Sequence, residues 1–404
     1  VRAYDPNRGR DLTRRSALYA LPATHSHPAN INPNAGTGSS YVDIDQALKL
    51  PQRVTPKAGN RLRIRSAPWN IDEVTVTQVV GTRLYFEPAT RYQIRAGQGY
   101  FLLDELGMLD SPGEWFYDPG TECRDALTPD SNAPSDQIRL SVLEKGVDLS
   151  GLSNIWIEGI GIYHTGLGID LTKAQNITVN AVKIEKTLRE GIIANQARNL
   201  NLTGNQLYRT GSDAISASGA TTLNITNNDI TESAVAIDVD RVWSLPVPTY
   251  AAIFAGRYAH VTGNSIKLTA SNGIWVLASD GIVESNAILS SCFQTNDCGG
   301  IYVNYSASNT RIASNLVERV NSNVDGVISS VLPQAVGIYL DINSTKMVVE
   351  NNTVAWADYG IQVHDSYSNR ITGNLLHGNR NSQLWFQEQT NKIISTGDVQ
   401  NNEV

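Results

Sequence analysis

From about residue 150 onward, apolar and polar positions alternate in short runs, and the runs recur. One recurring element is apolar-x-apolar followed three residues later by Asn: NLNLTGNQL (199–207), TLNITNNDI (222–230), AHVTGNSI (259–266), GIVESNAIL (281–289), TRIASNLV (310–317), MVVENNTV (347–354) and NRITGNLL (369–376). The aligned asparagines are Asn205, Asn228, Asn264, Asn286, Asn315, Asn352 and Asn374. A second element follows each time, a Gly or Ala leading into a short alternating run: GIDL (168–171), GIIA (191–194), AISA (214–217), AIDV (236–239), GIWV (273–276), GIYV (300–303), GIYL (337–340) and GIQV (360–363).

Period-2 alternation buries one side of each run, and such strands at a spacing of 22–23 residues, lengthened by insertions in some turns, describe a solenoid. No leucine signature or helix accompanies the unit, and a propeller blade needs about 40 residues. The pattern predicts an all-β fold, a right-handed parallel β-helix of about nine or ten coils over residues 151–404. Asn suits the bends, because it tolerates the left-handed conformation and its side chain bonds nearby backbone; stacked coil on coil, the seven asparagines are expected to form a structural ladder. Residues 1–60, rich in Pro, Asn, Gly and Ser, read as an extended segment. Residues 61–150 read as strands and a cap leading into the solenoid, with the apolar stretch at 100–109 expected to form a short helix over its open edge.

Composition narrows the function classes. The net charge of −7 argues against nucleic acid, whose phosphates demand clustered Lys and Arg. No apolar run approaches the roughly 20 residues of a membrane span. The chain begins VRAYDPNRGR without a visible signal peptide, so a mature or trimmed product is expected. Of three cysteines, Cys292 and Cys298 are six apart and suit a small-loop disulfide in an oxidising compartment; three reduced thiols are the alternative. No CxxC pair, HExxH, GxSxG elbow or phosphate loop is present, so zinc, lipase-type and nucleotide chemistry have no support.

Alternation also sorts the outer face of the second element. Its first outward column reads Asp170, Ile193, Ser216, Asp238, Trp275, Tyr302, Tyr339 and Gln362; its second reads Thr172, Asn195, Ser218, Asp240, Leu277, Asn304, Asp341 and His364. Adjacent coils lie about 4.8 Å apart. Trp275, Tyr302 and Tyr339 are therefore expected to form an aromatic stripe flanked by Asp238, Asp240, Asn304, Asp341 and His364, a groove in which sugar rings stack while amides and acids take their hydroxyls. Asp238 and Asp240 are also a candidate Ca²⁺ pair, the one cofactor the sequence suggests.

GYFLLDELGMLDSPGEWFYDPGT (99–121) resembles an entry segment of β-helical carbohydrate-active enzymes. DCGGIY (297–302) and GIYLD (337–341) resemble the paired motifs of glycoside hydrolase families 120 and 141 and their relatives. The resemblance covers roughly residues 60–380 and implies that Asp297 and Asp341 are the catalytic carboxylates, acting on xylose- or fucose-containing glycans. The sequence departs from that pattern at Ile342, where many relatives carry a second acid. Glycoside hydrolysis needs two carboxyls about 5–9.5 Å apart, yet a straight chain from Asp297 to Gly300 and from Gly337 to Asp341 would hold them ~23 Å apart. The pairing thus requires a sharp bend at Gly299-Gly300, held by a Cys292–Cys298 bridge; without it Asp341 pairs with Asp240 or Glu318 instead.

The leading expectation is a secreted glycoside hydrolase, extracellular, periplasmic or at the cell surface, acting on a plant, algal or microbial polysaccharide or oligosaccharide. A polysaccharide lyase or epimerase acting on a uronate shares the fold but needs a base at C5. A non-catalytic, self-assembling fibre or sheath subunit is the third reading.

Overall fold

A computed structural model describes residues 38–43, 55–103 apart from 97, 143–235, 250–304 apart from 278, 307–388 apart from 329–330, and 398–404. It also gives the backbone of short strands at 3–4, 19–20, 114–117, 124–127 and 139–140. The chain divides into two compact units, one of residues 1–142 with 324–332 and one of residues 143–323 with 333–404. The solenoid unit therefore begins before residue 151, and a stretch of its longest insertion groups with the first unit.

In the first unit a six-stranded antiparallel sheet is ordered Tyr19–Ala20, Gly99–Leu103, Arg61–Ala67, Asn70–Val80, Arg83–Glu87, Tyr41–Asp43. Its inward positions, among them Leu62, Ile64, Val74, Val76, Leu84 and Phe86, form a separate apolar core. The helix expected from residue 100 is not formed at its start. Gly99–Leu103 is a strand paired antiparallel with Arg61–Ile64, where aromatic Tyr100 buries its ring better than a short helix would allow. Residues 104–109 lie outside the described residues.

The second unit is a parallel β-helix. Each coil gives two strands to an 18-stranded parallel sheet and a third to a 9-stranded one. Because two long strands, Ile215–Thr226 and Ala251–Thr262, each serve two positions, the eighteen strands make ten coils among the described residues, the last having only a single bridge, Leu375 to Glu403, at the third position. Register is regular: Ile169, Ile192, Ile215, Ile253, Ile274, Ile301, Ile338, Ile361 and Leu384 stack as one inward column.

The asparagines after the apolar-x-apolar strands are buried and continuous. Asn205 Nδ2 donates to Asn228 Oδ1, and the pattern repeats through Asn264, Asn286, Asn315, Asn352 and Asn374 to Asn402, each step 2.9 Å. Each Nδ2 also reaches a backbone carbonyl, Asn286 that of Val261 at 2.9 Å. The left-handed conformation is taken not by the ladder asparagine but by the residue before it, Gly204, Asn227, Gly263, Ser285, Ser314, Asn351 and Gly373. One residue makes the corner and the next satisfies the backbone groups it leaves behind.

The glycine that opens six of the eight second elements has a steric cause at the two best-defined corners. A Cβ on Gly300 would lie 2.5 Å from Val317 Cγ1 and 2.8 Å from the carbonyl oxygen of Gly337 one coil on. Gly337 meets Val354 and Gly360 in the same way. At Gly300 and Gly337 a side chain would strike the next coil, whereas Ala214 and Ala252 hold the same position in two other coils.

Candidate active site

The outward side of the G-I-x-V strands carries the chemistry. In register, its first column reads Asp170, Ile193, Ser216, Phe254, Trp275, Tyr302, Tyr339, Gln362 and Trp385. The place expected for Asp238, between Ser216 and Trp275, is held by Phe254. AIDV mimics the repeat, but the strand that pairs with Ile215 and Ile274 begins at Ala251. Asp238 and Asp240, and with them the candidate Ca²⁺ pair, lie outside the described residues.

The aromatic stripe exists but is not an exposed platform. Phe254 and Trp275 stack with ring centroids 4.0 Å apart and 1° between planes. Trp275 and Tyr339 are each only 2% exposed, while Tyr302 between them is half-buried. What the stripe supplies is a hydrogen-bonded relay. Trp275 Nε1 donates to Asn304 Oδ1 at 2.9 Å, and Asn304 Nδ2 donates to the Tyr302 hydroxyl at 2.9 Å. The Tyr302 hydroxyl donates to Asp341 Oδ2 at 2.8 Å, and His364 Nδ1 meets Asp341 Oδ1 at 2.7 Å. Both carboxylate oxygens of Asp341 are thus held. The Tyr339 hydroxyl lies 3.4 Å from His364 Nδ1 and hydrogen-bonds the Asp297 carboxyl.

Asp297 reaches that cluster through a tight turn. Its own φ is +57°, and a Cβ on Gly299 would sit 3.0 Å from the Ile301 carbonyl oxygen and 3.3 Å from Tyr302 Cβ. The chain folds back between residues 299 and 302 while keeping its pairing with Ala335–Leu340. Three ties fix the turn. Cys292 and Cys298 are joined by a disulfide. Gly299 N donates to Asn272 Oδ1 at 2.8 Å, and Asp297 N donates to the Gln334 carbonyl at 2.7 Å. Gln334 Nε2 lies 3.3 Å from Asp297 Oδ1 and 3.2 Å from the Tyr339 hydroxyl.

Electrostatics separates the two acids. Burial, and then the charge of Asp341, push the Asp297 carboxyl up to about 7, against the opposing pull of His364 and the Tyr339 hydrogen bond. For His364, burial works against the charged form, but the Asp341 hydrogen bond and the charges of Asp341, Asp365 and Asp297 outweigh it and raise the imidazole. Burial and the same two carboxylates raise the Tyr339 phenol well above its usual range. The cluster can therefore offer a protonated carboxyl and, one coil away, a carboxylate gripped by a tyrosine and a histidine.

Glu318 stands on a different sheet, paired with Leu289 and Ala355, and is not brought to Asp341. Ile342, where a second acid was absent from the motif, is 42% exposed. A buried acid comes instead from the next coil, Asp365, whose Oδ2 lies 3.9 Å from His364 Nε2. Gln334 escaped the sequence reading, although it precedes Gly337 by the offset at which Asp297 precedes Gly300. Among the described residues no group of His, Cys, Asp and Glu is arranged to hold a metal, and no helix is long and apolar enough to cross a membrane.

A family model for a right-handed β-helix region matches residues 138–241, so the solenoid is right-handed. No curated protein matches the sequence. Among solved structures, one described as a glycoside hydrolase is similar over 96% of this chain and 79% of its own, with 12% identity and a TM-score of 0.61. The catalytic domain of a GH87 alpha-1,3-glucanase in complex with tetrasaccharides matches 63% of this chain and 50% of its own, with 14% identity and a TM-score of 0.41. The Dettilon tailspike protein matches 61% and 60%, with 11% identity and a TM-score of 0.30. At these identities the likeness is one of fold.

Proposed function

We propose that the chain is a glycoside hydrolase acting outside the cytoplasm on a saccharide bound along the outer face of its β-helix, with Asp297 as general acid and Asp341 as nucleophile or base. One observation carries this reading. Two carboxyls from adjacent coils are linked through the Tyr339 hydroxyl and His364 Nδ1, and one of the two keeps its proton to about pH 7. A carboxyl that keeps its proton beside a second carboxyl is what acid-assisted departure of a sugar leaving group needs. Asp297 would protonate the glycosidic oxygen while Asp341 attacks the anomeric carbon or activates water. Tyr302 and His364 would orient Asp341, the imidazolium balancing its charge as the oxocarbenium-like transition state forms.

The disulfide beside Asp297 favours an oxidising compartment, since such bridges rarely persist in the cytosol. The reading is tested on a panel of chromogenic glycosides and natural oligosaccharides. Wild type releases product, and Asp297→Asn and Asp341→Asn each abolish most of that release. Turnover unaffected by both substitutions would end the proposal, and an unsaturated, ultraviolet-absorbing product would replace it with a lyase.

A further inference from the structure

The column that carries Tyr302 and Tyr339 continues past the acids. Gln362 follows Tyr339 in register, and Trp385 follows Gln362. The fold-back at Gly299 brings Tyr302 close to the residue three positions earlier in its own coil. In successive coils the residues at that earlier position are Gly299, Val336, Tyr359 and Ser382. Where Gly299 and Ser382 are small and Val336 is buried, Tyr359 carries a ring. It stacks on Trp385 of the next coil, with centroids 4.5 Å apart and 20° between planes.

This pair differs from the aromatics nearer the acids. Trp275 and Tyr339 are each 2% exposed and half-buried Tyr302 has its hydroxyl on Asp341, whereas Tyr359 and Trp385 are both half-buried and stacked on each other. Gln362, buried between Tyr339 and Trp385, donates from Nε2 to Gln387 Oε1 at 2.9 Å and leaves its own Oε1 without a hydrogen-bond donor among the described residues.

We infer that Tyr359 and Trp385 form a sugar-stacking subsite, for a neutral pyranose unit about two residues removed from the bond that is cut. Two coils at ~4.8 Å each separate Trp385 from Tyr339, a span of about two sugar units along the helix axis. An amphipathic ring presents its face to the C–H surface of a pyranose while amides beside it take hydroxyls. On the opposite side of the acids the corresponding rings, Phe254 and Trp275, are closed against each other. Substrate binding energy is therefore concentrated on the C-terminal side of the acid pair.

The inference rests on the glycoside-hydrolase reading, and its test separates the two. Wild type, Trp385→Ala, Tyr359→Ala and Trp385→Phe are compared on chromogenic monosaccharide glycosides and on xylo-, gluco- and fuco-oligosaccharides of two to six units. Saturation-transfer NMR on the same oligosaccharides reads binding without turnover. Both alanine variants are expected to raise KM about ten-fold for chains of four or more units. They should leave monosaccharide glycosides and kcat unchanged and lose saturation transfer to the longer chains, while Trp385→Phe retains most binding. An equal effect at every chain length, or none, overturns the subsite while hydrolysis still stands. Absence of any saccharide binding by folded wild type overturns both.

Discussion

Asp170 and Asp297 belong to coils built on the same rule, and they are used in opposite ways. Asp170 sits where an early coil meets Lys145 at 2.7 Å. Burial opposes its ionisation, but the Lys145 hydrogen bond and charge outweigh that and hold the carboxyl below its ordinary value. Asp297 sits on a left-handed turn facing a second carboxylate, and its carboxyl is pushed up to about 7. The early coils repeat every 22–23 residues without interruption, and Asp148 and Asp170 there are both matched by Lys145. The acids of the candidate site lie where long excursions interrupt the repeat, between Glu318 and Ala335 and between Ser233 and Ala251. The strict period maintains the stack, and the candidate site gathers where the period is broken.

The sharpest way to break the comparison is to neutralise one acid in each class. Asp297→Asn and Asp341→Asn are each expected to lower kcat/KM by about 10²–10⁴-fold on whichever chromogenic glycoside wild type cleaves. Asp170→Asn should leave it within about two-fold, because only a partly exposed ion pair is lost. A comparable loss in Asp170→Asn would remove the distinction.

The same contrast predicts a pH signature. Folded Asp297 keeps its proton to about pH 7, whereas an unfolded aspartate releases it near 3.8. Between those values the folded state binds more protons than the unfolded one, so this group's contribution to stability falls as pH rises across the window and is least favourable above it. Asp297→Asn, which cannot ionise, should therefore gain stability over wild type by ~1–3 kcal/mol at pH 8 compared with pH 5, read from urea midpoints. In kinetics, wild-type kcat/KM should fall above about pH 7 as the general acid deprotonates. A profile flat to pH 9 would remove Asp297 from that role.

Much of the solenoid was legible in the sequence because the pattern is periodic. The buried asparagines and the glycine corners recur with fixed offsets, and each has one steric or hydrogen-bonding cause. The site was legible only in part. Alternation tells which side of a strand a residue faces, but not which of two neighbouring runs joins the sheet, so AIDV at 236–239 displaced Ala251–Ala255 and Phe254 was missed. Nor does an outward direction mean exposure: Trp275 faces away from the core and is still buried by Phe254 and its neighbours. Gln334 and Asp358 act across coils after an insertion, a relation that no spacing rule within one coil reveals.

Asp358 offers a third break, at the foot of the excursion. Its Oδ2 accepts from Ser322 N at 3.0 Å, Ser322 Oγ at 2.6 Å and Ala335 N at 3.2 Å, and Oδ1 faces Arg380 Nη1 at 3.0 Å. One buried carboxylate therefore ties the departing chain to the returning one, directly beside Gln334 and its contact with Asp297. Asp358→Ala should cost about 2–4 kcal/mol of stability, since two backbone donors lose a charged partner. Where the variant stays folded, the pH at which kcat/KM falls should also move, because Gln334 is no longer held on Asp297. Lost stability with an unmoved profile would make Asp358 structural only.

The smallest contrast lies between two asparagine ladders. Asn286 is 1% exposed, with its Nδ2 on Asn315 Oδ1 and on the Val261 carbonyl and its Oδ1 accepting from Asn264. Asn176 belongs to a parallel ladder on the surface, donating to Asn154 and accepting from Asn199 at 3.0 Å. The side-chain bonds along the two ladders are nearly the same in length, and their solvent is not. Removing Asn286 leaves buried backbone and amide groups with nothing to replace the lost partner, so Asn286→Ala should lower stability by about 1–3 kcal/mol. Removing Asn176 lets water take over both bonds. The remaining cost there is the left-handed φ of +54°, which alanine tolerates less well than asparagine. Asn176→Ala should therefore cost only ~0.5–1 kcal/mol, and Asn176→Gly, which relieves the backbone, less still. Equal losses in Asn286→Ala and Asn176→Ala would mean that the ladder works through its hydrogen bonds alone, whatever their burial.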